Sequence, residues 1–460
     1  MTVGSRRPLP RRKGRFLWTP PAPPAAPGGG TGVPAFVRAR VGSRRAPAVR
    51  RRRDRFQRWV IPATSPASTP TAKVEISFDS TPLSTGGTWT DVSAYVTSIE
   101  IRRGKARELD QTPAGSATIT LDDPTGLFDP DTTTSPYYPN ITPLRRVRVT
   151  ASWCGHTYYL FSGFVTGWPR GYEGIAVSTT QVRAVDGFGV LNVLPVSAAF
   201  AQELSSTRFT NVLDAAGWPS SLVATTDSAQ VVQAVTLDEP PMSHLHAVSA
   251  TEGGLMFMAA DGTATFLGRH GMGDEPLDES SYTFGNGSSA QHPWDALDVD
   301  DDLLDLWTQV EVSSQGVLTT VVDDTAAQAN YLVRKLTKSG MLFTSTADQT
   351  LYGQWLLAGF STPRRRISKV SFGGADAVEF WDRLLDRELG SKVTAVWVKP
   401  SGATLSQRSF IEGIDWTIRA GDQGERWDCS FALVPLDNRY DLFILDSPTQ
   451  GVLDQNALGY

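Results

Sequence analysis

From Val74 onward the sequence alternates. Val74, Ile76 and Phe78 are separated by polar residues. So are Ile99 and Ile101, then Ala117, Ile119 and Leu121, then Val147, Val149, Ala151 and Trp153. A period of two places each set on one face of a strand. Short strands joined by turns bury that face only by assembling into a sandwich or a barrel. The turn segment Asp122-Asp123-Pro124-Thr125-Gly126 separates two of these runs. These features predict a first β domain, a barrel or a sandwich, over 73–192.

The pattern then becomes mixed. Ser206 or Thr207 can cap a helix carrying Phe209, Val212, Leu213 and Ala216, stopped by Gly217. Ser243 can cap another, with Leu245 and Val248 inward. Leu255 to Arg269 reads as a hairpin turning at Asp261-Gly262 as a two-residue type I′ turn. This predicts a small α+β insertion over 193–299. Alternation returns at Val310 and Val312, at 318–322, and at 367–372, 393–398, 409–418 and 427–434. Thr350 to Phe360 fits a helix with Leu351, Trp355 and Leu356 on one face. Further strands with a helical segment are expected over 300–438, followed by a C-terminal extension at 439–460 that lies over the body. The expected class is mainly β with an α+β insertion.

The 460 residues carry a net charge of −5, which hides a split. Residues 1–72 hold 16 Lys and Arg and one acid, a net charge of +15. The remaining 27 basic and 47 acidic residues give −20. The same head holds 12 of the 30 prolines and has no apolar period. It cannot bury a core of its own, so it is expected to be an extended basic arm with polyproline character. Two short motifs recur in it. Arg11-Arg12-Lys13-Gly14-Arg15-Phe16 precedes Trp18, and Arg51-Arg52-Arg53-Asp54-Arg55-Phe56 precedes Trp59. Arg15, Phe16, Trp18, Arg55, Phe56 and Trp59 are the expected interface anchors, because aromatics and Arg carry most interface energy. An arm of +15 on a body of −20 favours an acidic protein partner over nucleic acid, and no stable nucleic-acid partner is expected.

Catalytic templates find little. There is no H-E-x-x-H, G-x-S-x-G, P-loop or dinucleotide glycine set. His244 and His246 are two apart on an expected helix, whereas helical ligands to one metal lie three or four apart. Asp298, Asp300, Asp301, Asp302 and Asp305 invite a calcium reading, but Leu303 and Gln309 stand where an EF-hand needs Gly and Glu. A solvated acidic loop is the preferred reading, with a cation site of another type left open. Cys154 and Cys429 cannot make a disulfide framework and are expected as buried thiols. No run approaches the roughly 18 apolar residues that span a bilayer. The chain is read as a non-enzyme, without metal or cofactor and without a membrane anchor.

One segment is distinctive. It runs Ile-Glu-Ile-Arg-Arg-Gly-Lys-Ala-Arg-Glu-Leu-Asp at 99–110, then Ala114 to Asp123, Gly126-Leu127-Phe128-Asp129-Pro130, Ser135-Pro136-Tyr137-Tyr138-Pro139-Asn140 and Leu160-Phe161-Ser162-Gly163-Phe164-Val165. It resembles the minor tail proteins of long-tailed bacteriophages that infect actinobacteria, and among them the tail-tip hub, related to the baseplate hub of contractile tails. Gly104, Glu108, Asp110, Gly115, Phe128, Pro130, Tyr137, Tyr138, Phe161 and Gly163 carry the signature. The two tyrosines, apolar bodies with polar tips, suit an interface.

The resemblance implies two tube-forming β-barrels, at 73–192 and 300–438, around an α+β insertion at 193–299. It implies a homotrimeric ring in the virion at the distal end of a siphophage tail, assembled in the host cytoplasm. Its partners would be the distal tail protein, the tape measure protein and other tail-tip proteins. The alternatives are a hexameric distal tail protein and a tail-associated enzyme that degrades cell wall. The arm is longer and more basic than the family core requires. It is expected to be disordered in the free subunit and ordered against neighbours in the assembled tail.

Overall fold

The computed structural model describes residues 69–173, 177–273, 282–287, 292–300, 303–373, 380–421 and 424–436. The arm with its six anchors, and the extension 439–460, lie outside the described residues. The chain begins with β1 (Thr71–Ser77), β2 (Thr90–Asp91), β3 (Val96–Gly104), β4 (Ser116–Asp122), β5 (Arg146–Trp153), β6 (His156–Gly167), β7 (Arg170–Glu173) and β8 (Val177–Val185). A mixed stretch follows: α1 (Gly187–Leu191), β9 (Val196–Phe200), β10 (Glu203–Leu204), α2 (Ser205–Ala215), β11 (Val223–Thr225), β12 (Val231–Val232), β13 (Val235–Glu239), α3 (Met242–Glu252), β14 (Leu255–Met258), β15 (Ala264–Leu267) and α4 (Arg269–Gly273). The last stretch holds β16 (Thr283–Gly285), β17 (Ala296–Asp300), β18 (Gln309–Ser314), β19 (Val317–Asp323), α5 (Thr325–Tyr331), β20 (Lys335–Met341), α6 (Thr346–Phe360), β21 (Arg366–Gly373), α7 (Trp381–Leu385), β22 (Lys392–Val398), β23 (Thr404–Arg419) and β24 (Arg426–Pro435).

Strands β1–β8 of the first stretch and β16, β17 and β21–β24 of the last form one sheet. Its order is β17-β21-β24-β23-β3-β4-β8-β6-β5-β1-β2, and no path among the described residues closes it into a barrel. The link is the antiparallel pair β3–β23. Its register explains why it forms. Trp416 faces Ile101, which faces Ala117, which faces Ala184. One pleat on, Ile418, Ile99, Ile119 and Val182 stand in line. All eight are buried. A one-residue slip would turn every one of them to solvent. The opposite pleat carries Asp415 against Arg102, and Thr417 against Glu100. One core cluster accordingly contains Ile99 and Ile119 together with Ile414, Trp416, Trp427 and Trp381.

The hairpin β14–β15 is buried on both faces. Leu255, Phe257 and Leu267 pack into that core, while Met256, Met258, Ala264 and Phe266 pack into a second one with α2 and α3. Each of the Leu, Met and Phe side chains contributes about 2 kcal/mol on burial. The connection is not a two-residue turn. Ala259 N–H donates to the Thr263 carbonyl, Gly262 N–H donates to the Ala259 carbonyl, and within the turn only Gly262 has positive φ. A type I′ turn needs positive φ at two residues. The observed loop is a type I turn closed by a left-handed glycine.

The helices appear with different ends. α2 begins at Ser205 after Leu204, which has no capping group, so Ser206 and Thr207 lie inside the helix, and Ser205 Oγ donates to Glu252 Oε2 (2.6 Å). α3 begins after Pro241, so Ser243 lies inside the helix rather than at its cap. α6 is capped by Ser345, whose Oγ accepts from Asp348 N–H. Its inward face is Tyr352, Leu356, Leu357 and Phe360, and Leu351 is exposed. α6 packs on the three-stranded sheet β19-β18-β20 to make a third, small core.

His244 is buried on α3, with Nε2 3.2 Å from Arg208 Nη1. A guanidinium only donates, so this nitrogen accepts and the ring is neutral. Burial first, then the Arg208 charge, push the His244 pKa down to about 4. The unfolded chain therefore binds this proton more readily than the folded one. Stability is complete above the ordinary histidine pKa and is lost as pH falls from about 6.5 through 4. His244→Gln, which retains an acceptor, is expected to flatten that part of the profile by on the order of 2 kcal/mol. Denaturant midpoints measured across the range check this, and parallel profiles would refute it.

Candidate functional site

The distinctive segment builds the join between the two β-rich stretches. β3 ends at Gly104, with φ +80°, directly opposite Gly413 of β23. Lys105 N–H donates to the Glu412 carbonyl at 2.7 Å. A Cβ on Gly104 would overlap that carbonyl and the Leu389 side chain. β23 carries a bulge between Ile411 and Gly413, where its pairing passes from β22 to β3. Beyond the turn, Lys105 Nζ donates to the Glu108 carbonyl (2.6 Å) and lies 3.4 Å from Glu412 Oε2. Asp110 is exposed, its N–H donating to the Arg107 carbonyl.

Next to Gly104, Arg103 is buried. Its Nη2 donates to the Met258 carbonyl (3.0 Å) and to Glu388 Oε1 (2.5 Å). Glu388 also accepts from Ala260 N–H and Leu389 N–H, each at 2.8 Å. One ion pair thus fastens β3, the β14–β15 hairpin and the loop after α7. Gly115, before β4, donates its N–H to Asp186 Oδ2 at 2.6 Å. Asp186 also caps α1 through Phe188 N–H. Burial pushes its carboxyl up to about 7, against the pull of those two amides and Arg103.

The turns after β4 are organised by Asp123, which sequence reasoning did not single out as a site residue. Its buried carboxylate accepts from Leu127 N–H (2.5 Å), Phe128 N–H (3.0 Å) and Thr180 Oγ1 (3.0 Å). The available signal was an Asp preceding Pro-Thr-Gly, the pattern of a side chain that bonds its own turn. Asp123→Ala is expected to cost about 3 kcal/mol, because three donors lose their acceptor. Asp123→Asn should fall between wild type and alanine. Equal denaturation midpoints for alanine and wild type would sink this account.

Phe128 is fully buried, edge-on to Tyr95 and stacked with Tyr137. Tyr137 stacks on Phe78 at 4.2 Å, so it serves the core, and Tyr138 is the tyrosine left on the surface. Pro130 is half-buried. Phe161 is buried, and Gly163 on the same strand leaves no room for a Cβ beside the Val185 carbonyl. Asp298 and Asp300 stand on strand β17 rather than in a loop, and Arg366 pairs with Asp300 (3.9 Å) and with Asp305. Cys429 is buried and Cys154 half-buried, and burial raises both thiols. Among the described residues no three His, Cys, Asp or Glu are grouped to hold a metal ion, and no helix is long and apolar enough to cross a membrane.

Two solved structures are similar to this chain in fold. The 43 kDa tail protein of prophage MuSo2 from Shewanella oneidensis superimposes with a TM-score of 0.51 at 14% identity, over 79% of this chain and 98% of that one. A tail protein from Neisseria meningitidis MC58 superimposes with a TM-score of 0.51 at 14% identity, over 79% and 96%. The chain has the fold of these tail proteins. No protein-family model matches the sequence, and no curated protein does.

Proposed function

We propose that this chain is a structural component of a bacteriophage tail tip: a hub ring that joins the tail tube and distal tail protein to the distal tip and fibres. The observation that carries this reading is the β3–β23 join. It holds strands β1–β8 and strands β16, β17 and β21–β24, distant in sequence, in one continuous sheet. A subunit with two such faces in fixed relation lets three copies close a ring that presents six. In this reading 73–192 and 300–438 are the two tube-forming barrels, completed by pairing with neighbours, and 193–299 is the insertion. The fold shared with two tail proteins supports it.

The polar groups at the join support a structural role. Asp123, Asp186, Arg103 and Glu388 all bond backbone groups, so their chemistry is spent on holding loops. The arm would capture neighbouring tail subunits. Cryo-EM of intact tails tests the reading, with three copies around the axis at the distal end as the expected result. Six copies would favour the distal tail protein, and placement on a fibre or capsid would overturn the hub. A lytic band from purified protein in zymography would overturn the absence of catalysis.

A further inference from the structure

We infer that a cleft between α3, β20 and α6 is the docking site of an apolar segment with acidic flanks, and that residues 441–446 of the same chain occupy it. This is independent of the ring reading above. The cleft measures about 440 Å³, the size of a ligand site. Its apolar lining is Met256, Met272, Met341, Tyr352 and Trp355, drawn from all three cores. Methionine side chains re-pack readily around an incoming apolar chain. Another wall is the loop 105–112, which carries the signature residues Glu108 and Asp110.

Lys338 stands in this cleft at a position where the strand pattern calls for an apolar residue. In the register of β18 with β20, Leu336 lies beside Val310 and Lys338 beside Val312. Neighbours in register share a face, and both valines are fully buried in the core under α6. The lysine is half-buried there. Among the described residues its ammonium has no hydrogen-bond or ion-pair partner. Asp110 and Glu108 attract it from beyond ion-pair distance, while Lys105, already paired with Glu412, repels it. Burial first, then Lys105, hold its pKa below the usual lysine range. A half-buried cation in an apolar wall costs free energy until a carboxylate meets it.

The chain supplies a matching segment just beyond β24. Leu442-Phe443-Ile444-Leu445 is a run of apolar residues, and Asp441 and Asp446 flank it. Such a run needs cover, and its flanks carry the charge that Lys338 lacks. The exit of the chain is placed for it. Leu436 N–H donates to the Arg408 carbonyl, and Pro435 lines a groove together with Glu108, which also lines the cleft. Leu442 follows Leu436 by six residues, roughly 20 Å of extended chain. The N-terminal arm suits the cleft less, because its 16 basic residues against one acid would set like charge beside Lys338. Docked, residues 441–446 strap the insertion and the third core to the end of β24.

The test treats the full chain, as an equal mixture of light- and heavy-isotope copies, with a carbodiimide that joins amines to carboxylates in direct contact. The expected product is a single-isotope peptide pair joining Lys338 to Asp441 or Asp446. Links from Lys338 to Glu108 or Asp110 only, or no link from Lys338, would overturn the inference. Mixed-isotope links would overturn the assignment to the same chain. The second readout is tryptic cleavage after Arg439. Lys338→Glu should speed it about tenfold, the effect of losing one charged contact on a segment that opens before it is cut. Adding Asp441→Lys, or Asp446→Lys where the link falls there, should restore the wild-type rate, which no purely structural role for Lys338 would do. Equal cleavage in wild type and Lys338→Glu, or a failure of the rescue, would overturn the docking while leaving the ring reading intact.

Discussion

Gly104→Val is expected to abolish accumulation of folded subunit, with a stability loss of about 4 kcal/mol or more from strain and overpacking combined. Two effects act there. At φ +80° any side chain is strained, and a β-branched one most. The Cβ would also enter the space of the Glu412 carbonyl and the Leu389 side chain. Gly155 separates the two effects, since it has φ +78° and a Cβ there would meet nothing within 4 Å. Gly155→Ala should therefore cost only the strain, about 1 kcal/mol. Gly104→Ala should cost clearly more. Denaturant midpoints of the two alanine variants decide it. If they match, the close approach of β3 to β23 is not what requires glycine at 104.

Much of the fold was legible because alternation reports burial directly. The runs at 99–101, 117–121 and 147–153 fall on strands and that at 74–78 ends one residue beyond β1, all with their apolar residues buried. What alternation cannot report is the neighbour. Ile101 reads as inward-facing in any sheet, but that it lies opposite Trp416 depends on a pairing between distant segments. The same limit hid Glu388, whose partner Arg103 is 285 residues away. Local chemistry was ambiguous elsewhere. Asp-Gly serves both a type I′ turn and a type I turn closed by glycine, and tertiary packing chose the second here. On α6 the inward stripe passes through Tyr352 and Phe360 rather than Leu351, because aromatic side chains fill the space above β18 and β19. The signature residues mattered as geometry more than as chemistry: Gly104, Gly115 and Gly163 mark places where backbone or a carboxylate approaches too closely for a side chain.

Glu388→Ala is expected to destabilise the subunit by about 3–5 kcal/mol, the range for breaking a buried pair by removing one partner. The Arg103 side chain is only 4% exposed and would keep the Met258 carbonyl as an acceptor, with no compensating charge. Ala260 N–H and Leu389 N–H would lose their acceptor as well. Arg103→Met should cost less, because Glu388 is 25% exposed and keeps those two amides. The double variant Arg103→Met with Glu388→Ala should cost less than the sum, since removing both charges leaves none buried and unpaired. The place of the damage is also specific. The β14–β15 hairpin lies between two cores and is fastened to β3 by this pair. Hydrogen exchange in Glu388→Ala should therefore accelerate first at 255–267, ahead of β4 and β5. Additive costs in the double variant, or uniform acceleration over the sheet, would show that Arg103 and Glu388 do not act as one fastening.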